Sequence, residues 1–204
     1  MKTKQPAFGS TRDSMAANSR AAILKAATKL FAERGFDAAS TNAVALEAGV
    51  PSALIFYYFD SKEALLDEIF KAPGLPAELD RIFNEVENGP PAVALKTAAL
   101  LVFRWLDKNE EFVRLFFKEI TSHRPVASRL RDSRRRSIRR VAAYLDVAVE
   151  RKEMAPAKTQ VLAQLFISSL LLASIFDRQV NVRAFARTLS ETIAGVGDRR
   201  TIQR

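Results

Sequence analysis

Apolar residues recur at helical spacing along most of the chain, and glycine or proline stands at many of the breaks between them. Residues 19–66 hold three short runs of this kind, and the first two end at Gly35 and Gly49, a residue type that favours helix termination. Three short helices with one apolar face each can share a small core, so this segment is predicted to fold as a unit. The apolar positions are Ile23, Ala27, Leu30 and Phe31, then Val44 and Ala45, then Ile55 and Phe59.

Longer helices are predicted from residue 61 onward. Residues 92–106 are apolar on almost every face, so this helix is expected to be surrounded by protein. The fold class is therefore predicted to be all-α, with about nine helices and no sheet. The further predicted helices cover residues 61–71, 78–87, 109–123, 125–151, 158–178 and 182–194.

The pattern divides the chain into three parts. Residues 1–18 are polar and are predicted to be a flexible arm, residues 19–66 form the three-helix unit, and residues 67–204 form a larger helical domain. The chain has no cysteine, which excludes disulfides and thiolate metal sites, and its N-terminus lacks the apolar segment of a signal peptide. Val161–Phe176 is expected to be too short and too polar to span a membrane, so a cytoplasmic location is predicted.

The net charge of +9 is unevenly distributed. Residues 1–71 carry nine Lys and Arg against eight Asp and Glu, whereas residues 124–140 alone carry eight Arg against one Asp. On a helical wheel, six of these arginines lie opposite the apolar residues, which favours a solvated face over a second nucleic-acid surface or an anionic-ligand site. The six are Arg129, Arg131, Arg135, Arg136, Arg139 and Arg140.

Two short helical runs flank the turn Glu47–Val50, and aromatic residues and a lysine follow the second run, which is the arrangement of a helix-turn-helix. Arg20–Leu66 resembles the N-terminal domain of the TetR (tetracycline repressor) family of bacterial transcription regulators. The resemblance implies double-stranded DNA as a partner, a helical second domain of about the remaining length, and a homodimer. The matching positions are Ile23-Leu24, Ala26-Ala27, Leu30-Phe31, Gly35-Phe36, Ser40-Thr41, Val44-Ala45, Ala48-Gly49-Val50, Ile55, Tyr58-Phe59 and Ser61-Lys62-Glu63-Ala64-Leu65.

Three positions depart from the family pattern. Pro51 stands where a capping Ser is usual, Leu54 replaces a residue that is often small or hydroxylic, and Phe56 replaces a common Tyr. These changes are expected to alter the DNA contacts rather than abolish DNA binding.

The expected DNA contacts fall into two chemical groups. Ser40 and Thr41 stand at a helix N-terminus that favours a phosphate, and Asn42 can reach a base edge from the same end. The recognition helix is expected to enter the major groove with its first residues, and the aromatic run and lysine to hold the backbone. The alternative is that all four aromatic rings are core, which adjacent helical positions disfavour. The DNA-binding residues are thus predicted to be Ser40, Thr41, Asn42, Ser52, Ala53, Leu54, Phe56, Tyr57, Tyr58 and Lys62.

No group of residues predicts catalysis, a cofactor or a metal site. His123 is the only histidine and is interpreted as a helix-end group more readily than as a base or ligand. Arg134 falls among the apolar positions of its helix, so it needs a partner, either a protein carboxylate or an acidic effector. The carboxylate is favoured, and the acidic effector stays open.

The resemblance implies that the second domain encloses a pocket for a small effector, and its aromatic residues predict a largely apolar lining. The residues assigned to this pocket are Leu100, Phe103, Arg104, Trp105, Phe112, Phe116, Phe117, His123, Arg134 and Phe166. Apolar faces on the last two helices predict a four-helix interface between two copies of the chain. The residues assigned to this interface are Val161, Leu165, Leu172, Phe185, Leu189 and Ile193.

The sequence therefore predicts a homodimeric, ligand-responsive repressor that binds a palindromic operator and is released by a small, largely apolar effector. An activator or an effector-independent regulator is the alternative within the same class. An enzyme fused to a DNA-binding module and an architectural DNA-binding protein are the alternatives from other classes.

Overall fold

The computed structural model describes residues 9–71, 74–86, 88–122, 124–176 and 179–195, with side chains from residue 15 onward. All regular structure in these ranges is helical, which confirms the all-α fold class. The helices are α1 (Gly9–Arg34), α2 (Thr41–Ala48), α3 (Ser52–Tyr58), α4 (Lys62–Ile69), α5 (Leu75–Val86), α6 (Pro91–Lys108), α7 (Glu110–Ile120), α8 (Val126–Glu150), α9 (Thr159–Phe176) and α10 (Val182–Gly195).

The first helix begins earlier than predicted. It starts at Gly9 rather than near Ser19, so residues 9–18, predicted to belong to a flexible arm, are helical. The remainder of that predicted arm, residues 1–8, lies outside the described residues. A contact with α3 accounts for part of the extension, because the Tyr58 hydroxyl donates to the Ala16 carbonyl at 3.1 Å.

The core of the N-terminal unit extends beyond the predicted boundary at residue 66. Ile69 and Phe70 belong to the same buried cluster as Ile23, Phe31 and Ile55. Leu115, Val126 and Leu130, from α7 and α8, complete this cluster. We call this cluster the DNA-side core and residues 9–71 the DNA-side unit, because they carry the predicted DNA-contact residues. The core is closed by residues of the second domain, so the two parts share packing.

The second core is built around α6, as its apolar sequence predicts. Leu95, Ala98, Ala99 and Val102 are fully buried, and α6 contacts α5, α9 and α10. One face of α6 remains open, since Val93 is 58% exposed.

The last two helices differ in how much of their apolar surface the chain itself covers. Phe185 on α10 packs edge-to-face on Phe103, with 5.6 Å between ring centroids, and Ile193 is buried in the core. The assignment of Ile193 to an interface between copies is therefore wrong. By contrast, the outer face of α9 is open to solvent, with Val161 and Leu165 each 52% exposed and Leu172 48% exposed.

Helix α9 is more apolar than the sequence analysis allowed. Its 18 residues have a mean hydropathy of 1.7, which meets the length and composition of a membrane span. Core helices of soluble proteins meet the same criterion, and here Leu162, Phe166, Ile167 and Leu170 pack into the second core. This packing accounts for the apolar residues on the inner face of α9. It does not account for the exposed apolar residues on the outer face.

Candidate nucleic-acid interface and adjoining cavity

Helices α2 and α3 form a helix-turn-helix whose turn is set by local hydrogen bonds. The Ser40 side chain caps α2 by accepting from the Ala43 N–H at 3.1 Å. Gly49 ends α2 in the left-handed conformation with φ of 67°, which a residue with a Cβ adopts only with strain. Pro51 then precedes α3 in extended conformation and makes no side-chain cap, as expected for a residue that replaces Ser.

The residues predicted to contact DNA lie at the start of α2 and along the outer side of α3. Asn42, Ser52 and Ala53 are exposed, while Phe56 and Tyr57 expose 54% and 77% of their surfaces. Thr41 and Leu54 are partly covered. Two large rings exposed on one short helix are not core, which excludes the alternative that the whole aromatic run is buried.

Two of the predicted phosphate contacts are engaged inside the protein. The Tyr58 hydroxyl donates its proton to the Ala16 carbonyl, so Tyr58 ties α3 to α1 instead of offering a donor to phosphate. The Lys62 ammonium lies 4.4 Å from the centroid of the Phe36 ring and donates to the Asp37 carbonyl at 3.3 Å. An ammonium has three N–H donors, so Lys62 retains the capacity to bind phosphate and Tyr58 does not.

Helix α2 also exposes a large apolar residue that the sequence analysis did not single out. Leu46 on α2 is 84% exposed, the largest exposure among the large apolar residues of the described chain. Next to it, Glu47 pairs with Lys29 of α1 at 2.6 Å, which fixes α2 on α1. The Lys29 ammonium donates a hydrogen bond that lowers the pKa of Glu47, and the Glu47 carboxylate in turn raises the pKa of Lys29. The exposure of Leu46 could have been predicted from the sequence, because Leu46 lies off the face of α2 that carries Val44 and Ala45.

A cavity of about 730 Å³ lies between the DNA-side unit and the second domain. We call it the arginine-rich cavity. Its lining combines aromatic and aliphatic residues with arginines of α8. Its lining includes Phe70, Leu75, Trp105, Phe112, Val113, Phe116, Leu130, Ile167 and Leu171 on the apolar side, and Lys71, Asp80, Arg129, Ser133, Arg134, Arg136, Arg139 and Arg140 on the polar side.

The structure divides the residues assigned to the effector pocket. Four of them, Trp105, Phe112, Phe116 and Arg134, line the arginine-rich cavity. Three others line a second cavity of about 780 Å³ at the start of α10, and two line neither: Phe117 packs against the second core and Phe166 is fully buried within it. The three in the second cavity are Leu100, Phe103 and Arg104, and His123 lies outside the described residues.

The apolar residues missed by the sequence analysis come from elements distant in the chain. Phe70 follows α4, Leu75 begins α5, and Ile167 and Leu171 belong to α9. Their apolar character was visible, but nothing local to each segment indicates that they meet. Only the packing of α4, α5 and α9 around α8 brings them to one cavity.

Arg134 has no carboxylate partner among the described residues, contrary to the favoured prediction. Its guanidinium donates to the Ser168 hydroxyl at 3.4 Å, and Arg134 also lines the arginine-rich cavity. The solvated-face prediction also holds only for part of the arginine run. Arg129 pairs with Asp67 of α4, and Arg140 pairs with Asp80 of α5 at 3.2 Å and stacks on Phe83.

The arginine-rich cavity shares its walls with the contacts that hold the DNA-side unit in place. Phe70 packs against Phe112 with 5.2 Å between ring centroids, and Phe112 in turn packs edge-to-face on Trp105 at 6.1 Å. Leu130 belongs both to the DNA-side core and to the cavity lining. A molecule in the cavity therefore touches residues that position α4.

A second connection lies at the start of α8. The Arg124 guanidinium bonds Asp37 at 2.6 Å, bonds the buried Glu119 at 3.1 Å, and stacks on the Phe36 ring at 4.6 Å. The guanidinium lowers the pKa of Asp37 by donating a hydrogen bond to its carboxylate. Arg124 thus joins the loop before α2 to the end of α7.

Comparison with known proteins is consistent with this architecture. The model of the family described as bacterial regulatory proteins, tetR family, matches residues 23–69. The HTH-type transcriptional repressor KstR2 of Rhodococcus jostii (strain RHA1) is 42% identical over 52 residues, 26% of each chain. The matched stretch spans only 26% of KstR2, and the match to a second curated relative spans only 33% of that protein.

Solved structures extend the likeness to the second domain, at the level of fold. The TetR family transcriptional regulator PfmR from Thermus thermophilus has a TM-score of 0.71 at 24% identity, covering 84% of this chain and 93% of that one. FadR from Bacillus subtilis, solved in complex with stearoyl-CoA, has a TM-score of 0.71 at 16% identity, covering 85% and 97%.

The capped helix-turn-helix and the helical second domain together have the architecture of the helix-turn-helix transcription regulators to which the chain is similar. Within that class, residues 23–69 match the tetR family of bacterial regulatory proteins, and the fold of the whole chain resembles that of TetR-family regulators.

Proposed function

We propose that this protein is a homodimeric repressor that binds a palindromic DNA site and leaves it when a small, largely apolar effector occupies the arginine-rich cavity. The observation that carries the proposal is the shared wall: Phe70 and Leu130 belong to the DNA-side core and also line the cavity. An effector that binds one arrangement of these residues better than another shifts the population of α4 positions. The repressor named KstR2 is 42% identical to this chain over 52 residues, which supports repression.

Recognition of DNA is assigned to residues with distinct tasks. The open end of α2, with Ser40 and Thr41, receives a phosphate, because its free N–H groups and the helix dipole favour an anion. Asn42 reads a base edge, and Ala53 or Leu54 packs on a thymine methyl in the major groove. Lys62 adds a backbone contact that is independent of sequence.

The second copy of the chain is assigned to the outer face of α9. Val161, Leu165, Leu172 and Phe176 form one exposed stripe at helical spacing, and Phe176 is 78% exposed. An apolar stripe of this length on a helix whose other face is already packed indicates a partner surface. Phe185 and Leu189 on α10 are half-buried and stand at the edge of the proposed interface.

The effector is assigned from the chemistry of the cavity. Trp105, Phe112 and Phe116 offer an apolar wall, and Arg134 supplies a positive charge that the described chain leaves without a carboxylate. An apolar molecule with an acidic group satisfies both. B. subtilis FadR, which shares the fold, was solved with stearoyl-CoA, a molecule with a long apolar chain.

Selection of bound duplexes from a random library, followed by footprinting, tests the DNA half of this proposal with the full chain. We expect a palindrome of two half-sites and a protein dimer on each duplex. Equal retention of random and selected DNA would instead indicate an architectural protein. An apolar acid that saturates the cavity should release the protein from the selected duplex. If the protein stays bound to the duplex, it is an effector-independent regulator.

A further inference from the structure

An exposed carboxylate lies beside the proposed phosphate contacts, where negative charge is unfavourable. Asp37 belongs to the loop between α1 and α2, three residues before Ser40, and its side chain is 87% exposed. Its backbone carbonyl accepts from the Lys62 ammonium at 3.3 Å. A carboxylate so close to two phosphate contacts opposes DNA binding through repulsion. The partners of Asp37 indicate what the carboxylate contributes instead.

The ion-pair partner of Asp37 is a residue of the second domain. Arg124 lies between α7 and α8, and its Nη2 donates to Oδ2 of Asp37 at 2.6 Å. Its Nη1 donates to Oε2 of Glu119 at 3.1 Å, and Glu119 is buried in the second domain. A planar guanidinium bonded on two sides is fixed in orientation. Arg124 therefore presents a fixed donor to the loop that carries Asp37.

Arg124 and Lys62 also share one aromatic ring. The buried Phe36 ring has the Arg124 guanidinium 4.6 Å from its centroid and the Lys62 ammonium 4.4 Å from it. A cation over an aromatic ring is attracted by the electron density of the ring face. The position of the Lys62 ammonium thus depends on Phe36, which Arg124 contacts as well.

The loop itself leaves little slack between these contacts and the start of α2. It begins at Gly35, whose carbonyl accepts from the Ala39 N–H at 3.3 Å. Ala39 is fully buried, and the next residue, Ser40, caps α2. Because Asp37 is only three residues from this cap, a bond that holds Asp37 also restrains the first turn of α2.

We propose that Arg124 is a positioning residue for DNA binding. Through Asp37 and Phe36 it holds the first turn of α2 and the Lys62 ammonium where they meet the phosphates, and it does not itself contact DNA. Asp37 accordingly favours DNA binding in spite of its charge. The inference rests on the proposed function, because it concerns the same phosphate contacts, and it gives the second domain a part in shaping the DNA-binding surface.

Removal of the carboxylate tests the proposal, because repulsion and positioning predict opposite signs. The full-length protein is titrated into a labelled duplex of random sequence, since phosphate contacts do not depend on sequence. Asp37→Ala removes a negative charge, which by itself strengthens DNA binding. We expect binding about fivefold weaker than that of the parent, with a shallower salt dependence, because phosphate contacts are misplaced.

The matched control is Asp60→Ala, which removes another exposed carboxylate near Lys62. Asp60 forms no ion pair in the part of the chain that the structure describes. Its removal makes the same change in charge and leaves the contacts of Arg124 in place. We expect Asp60→Ala to bind the random duplex as tightly as the parent or more tightly.

A second variant removes Arg124 without changing the net charge. Arg124→Gln alone would leave the buried Glu119 without its partner, so Arg124→Gln/Glu119→Gln is used. We expect this double variant to bind the random duplex about fivefold more weakly than the parent. Adding Asp37→Ala to it should cause no further loss, because Asp37 acts through Arg124. Circular dichroism checks that each variant is folded, and Asp37→Ala decides the question if the double variant is not.

Two outcomes overturn the inference. If Asp37→Ala binds as tightly as the parent or more tightly, the carboxylate has no positioning role, and a loss confined to the double variant would place Arg124 on the phosphates itself. If Asp37→Ala weakens the parent and the double variant by the same factor, Asp37 acts independently of Arg124. Failure of the parent protein to bind any duplex would contradict the proposed function, which is a distinguishable result.

Discussion

The DNA-side unit and the second domain of this protein are both helical, but they place their chemistry in different ways. In the DNA-side unit, the proposed DNA-contact positions from Ser40 to Lys62 lie within one short stretch, and local caps and a glycine turn orient them. In the second domain, the cavity collects residues from α4 through α9. A site built from neighbours in sequence is visible in the sequence, whereas a site built by long-range packing is not.

The two regions also differ in what their relatives show. The family match covers residues 23–69, and the 42% identity to KstR2 extends over only 52 residues. The second domain resembles solved regulators only in fold. This difference agrees with a common way of binding DNA joined to a cavity whose lining is particular to each protein.

The largest effect is expected where the two regions meet. Phe112 contacts both Phe70 and Trp105, so Phe112→Ala removes ring packing from each side of the boundary. We expect the free energy of unfolding to fall by about 3 kcal/mol. In urea, the transition seen by circular dichroism and that seen by Trp105 fluorescence should move together. Movement of only one transition would show that the two regions unfold independently.

A substitution in the proposed dimer interface tests whether the second domain raises DNA affinity by holding two copies of the DNA-side unit together. Leu165→Glu places a charge in the exposed stripe of α9 and is expected to give a monomer in sedimentation. Affinity for a palindromic duplex should then fall by about a hundredfold, because the two half-sites no longer bind as one unit. Gln160→Glu, which adds the same charge to α9 off the stripe, is the control and should remain dimeric. An intact Leu165→Glu dimer would contradict this interface.

Within the DNA-side unit, two substitutions should separate specific from non-specific binding. Asn42→Ala is expected to relax preference at one base position, at about 1–3 kcal/mol. Lys62→Ala should weaken selected and random duplexes alike and flatten the salt dependence, since it removes a phosphate contact. Titrations of both duplexes at several salt concentrations distinguish the two. Equal losses on selected and random DNA for Asn42→Ala would refute its assignment to a base edge.

The smallest expected effect concerns the exposed ion pair between the two regions. Since Arg124 lowers the pKa of Asp37 in the folded protein, this carboxylate stabilises the fold above its ordinary pKa of about 4. The contribution is lost as the pH falls through the lower folded value. Asp37→Asn should therefore be slightly less stable than the parent at pH 7, and the difference should vanish in acid. Asp60→Asn is the matched control, because it removes an exposed carboxylate that forms no ion pair among the described residues.

The sequence predicts the fold class and the DNA-side site because their determinants are local. Ser40 caps α2, Gly49 supplies the left-handed turn, and Ile55 is buried as its spacing indicates. The internal hydrogen bond of Tyr58 and the burial of Ile193 could not be predicted from local sequence. The Tyr58 hydroxyl donates to the Ala16 carbonyl, and Ala16 lies in a segment whose polar composition did not predict a helix. Ile193 is buried because α10 packs against α6.

The cavity shows the same limit for charged residues. A helical wheel separated the arginines of α8 into a polar arc and an apolar side, yet the structure gives members of one arc different tasks. Arg129 pairs with α4, Arg135 pairs within its own helix, and Arg136 lines the cavity without a carboxylate. The wheel describes one helix alone, and these differences depend on which neighbours pack around it.

The central claim is that the cavity and the DNA-binding surface are coupled, and a single double titration tests it most directly. The full-length protein, bound to its selected duplex carrying a fluorescent label, is titrated with dodecanoate, an apolar acid, while Trp105 emission and DNA anisotropy are recorded together. The account predicts that anisotropy falls to the value of free DNA over the same concentrations at which the Trp105 signal saturates. Saturation of Trp105 with the duplex still fully bound would contradict it.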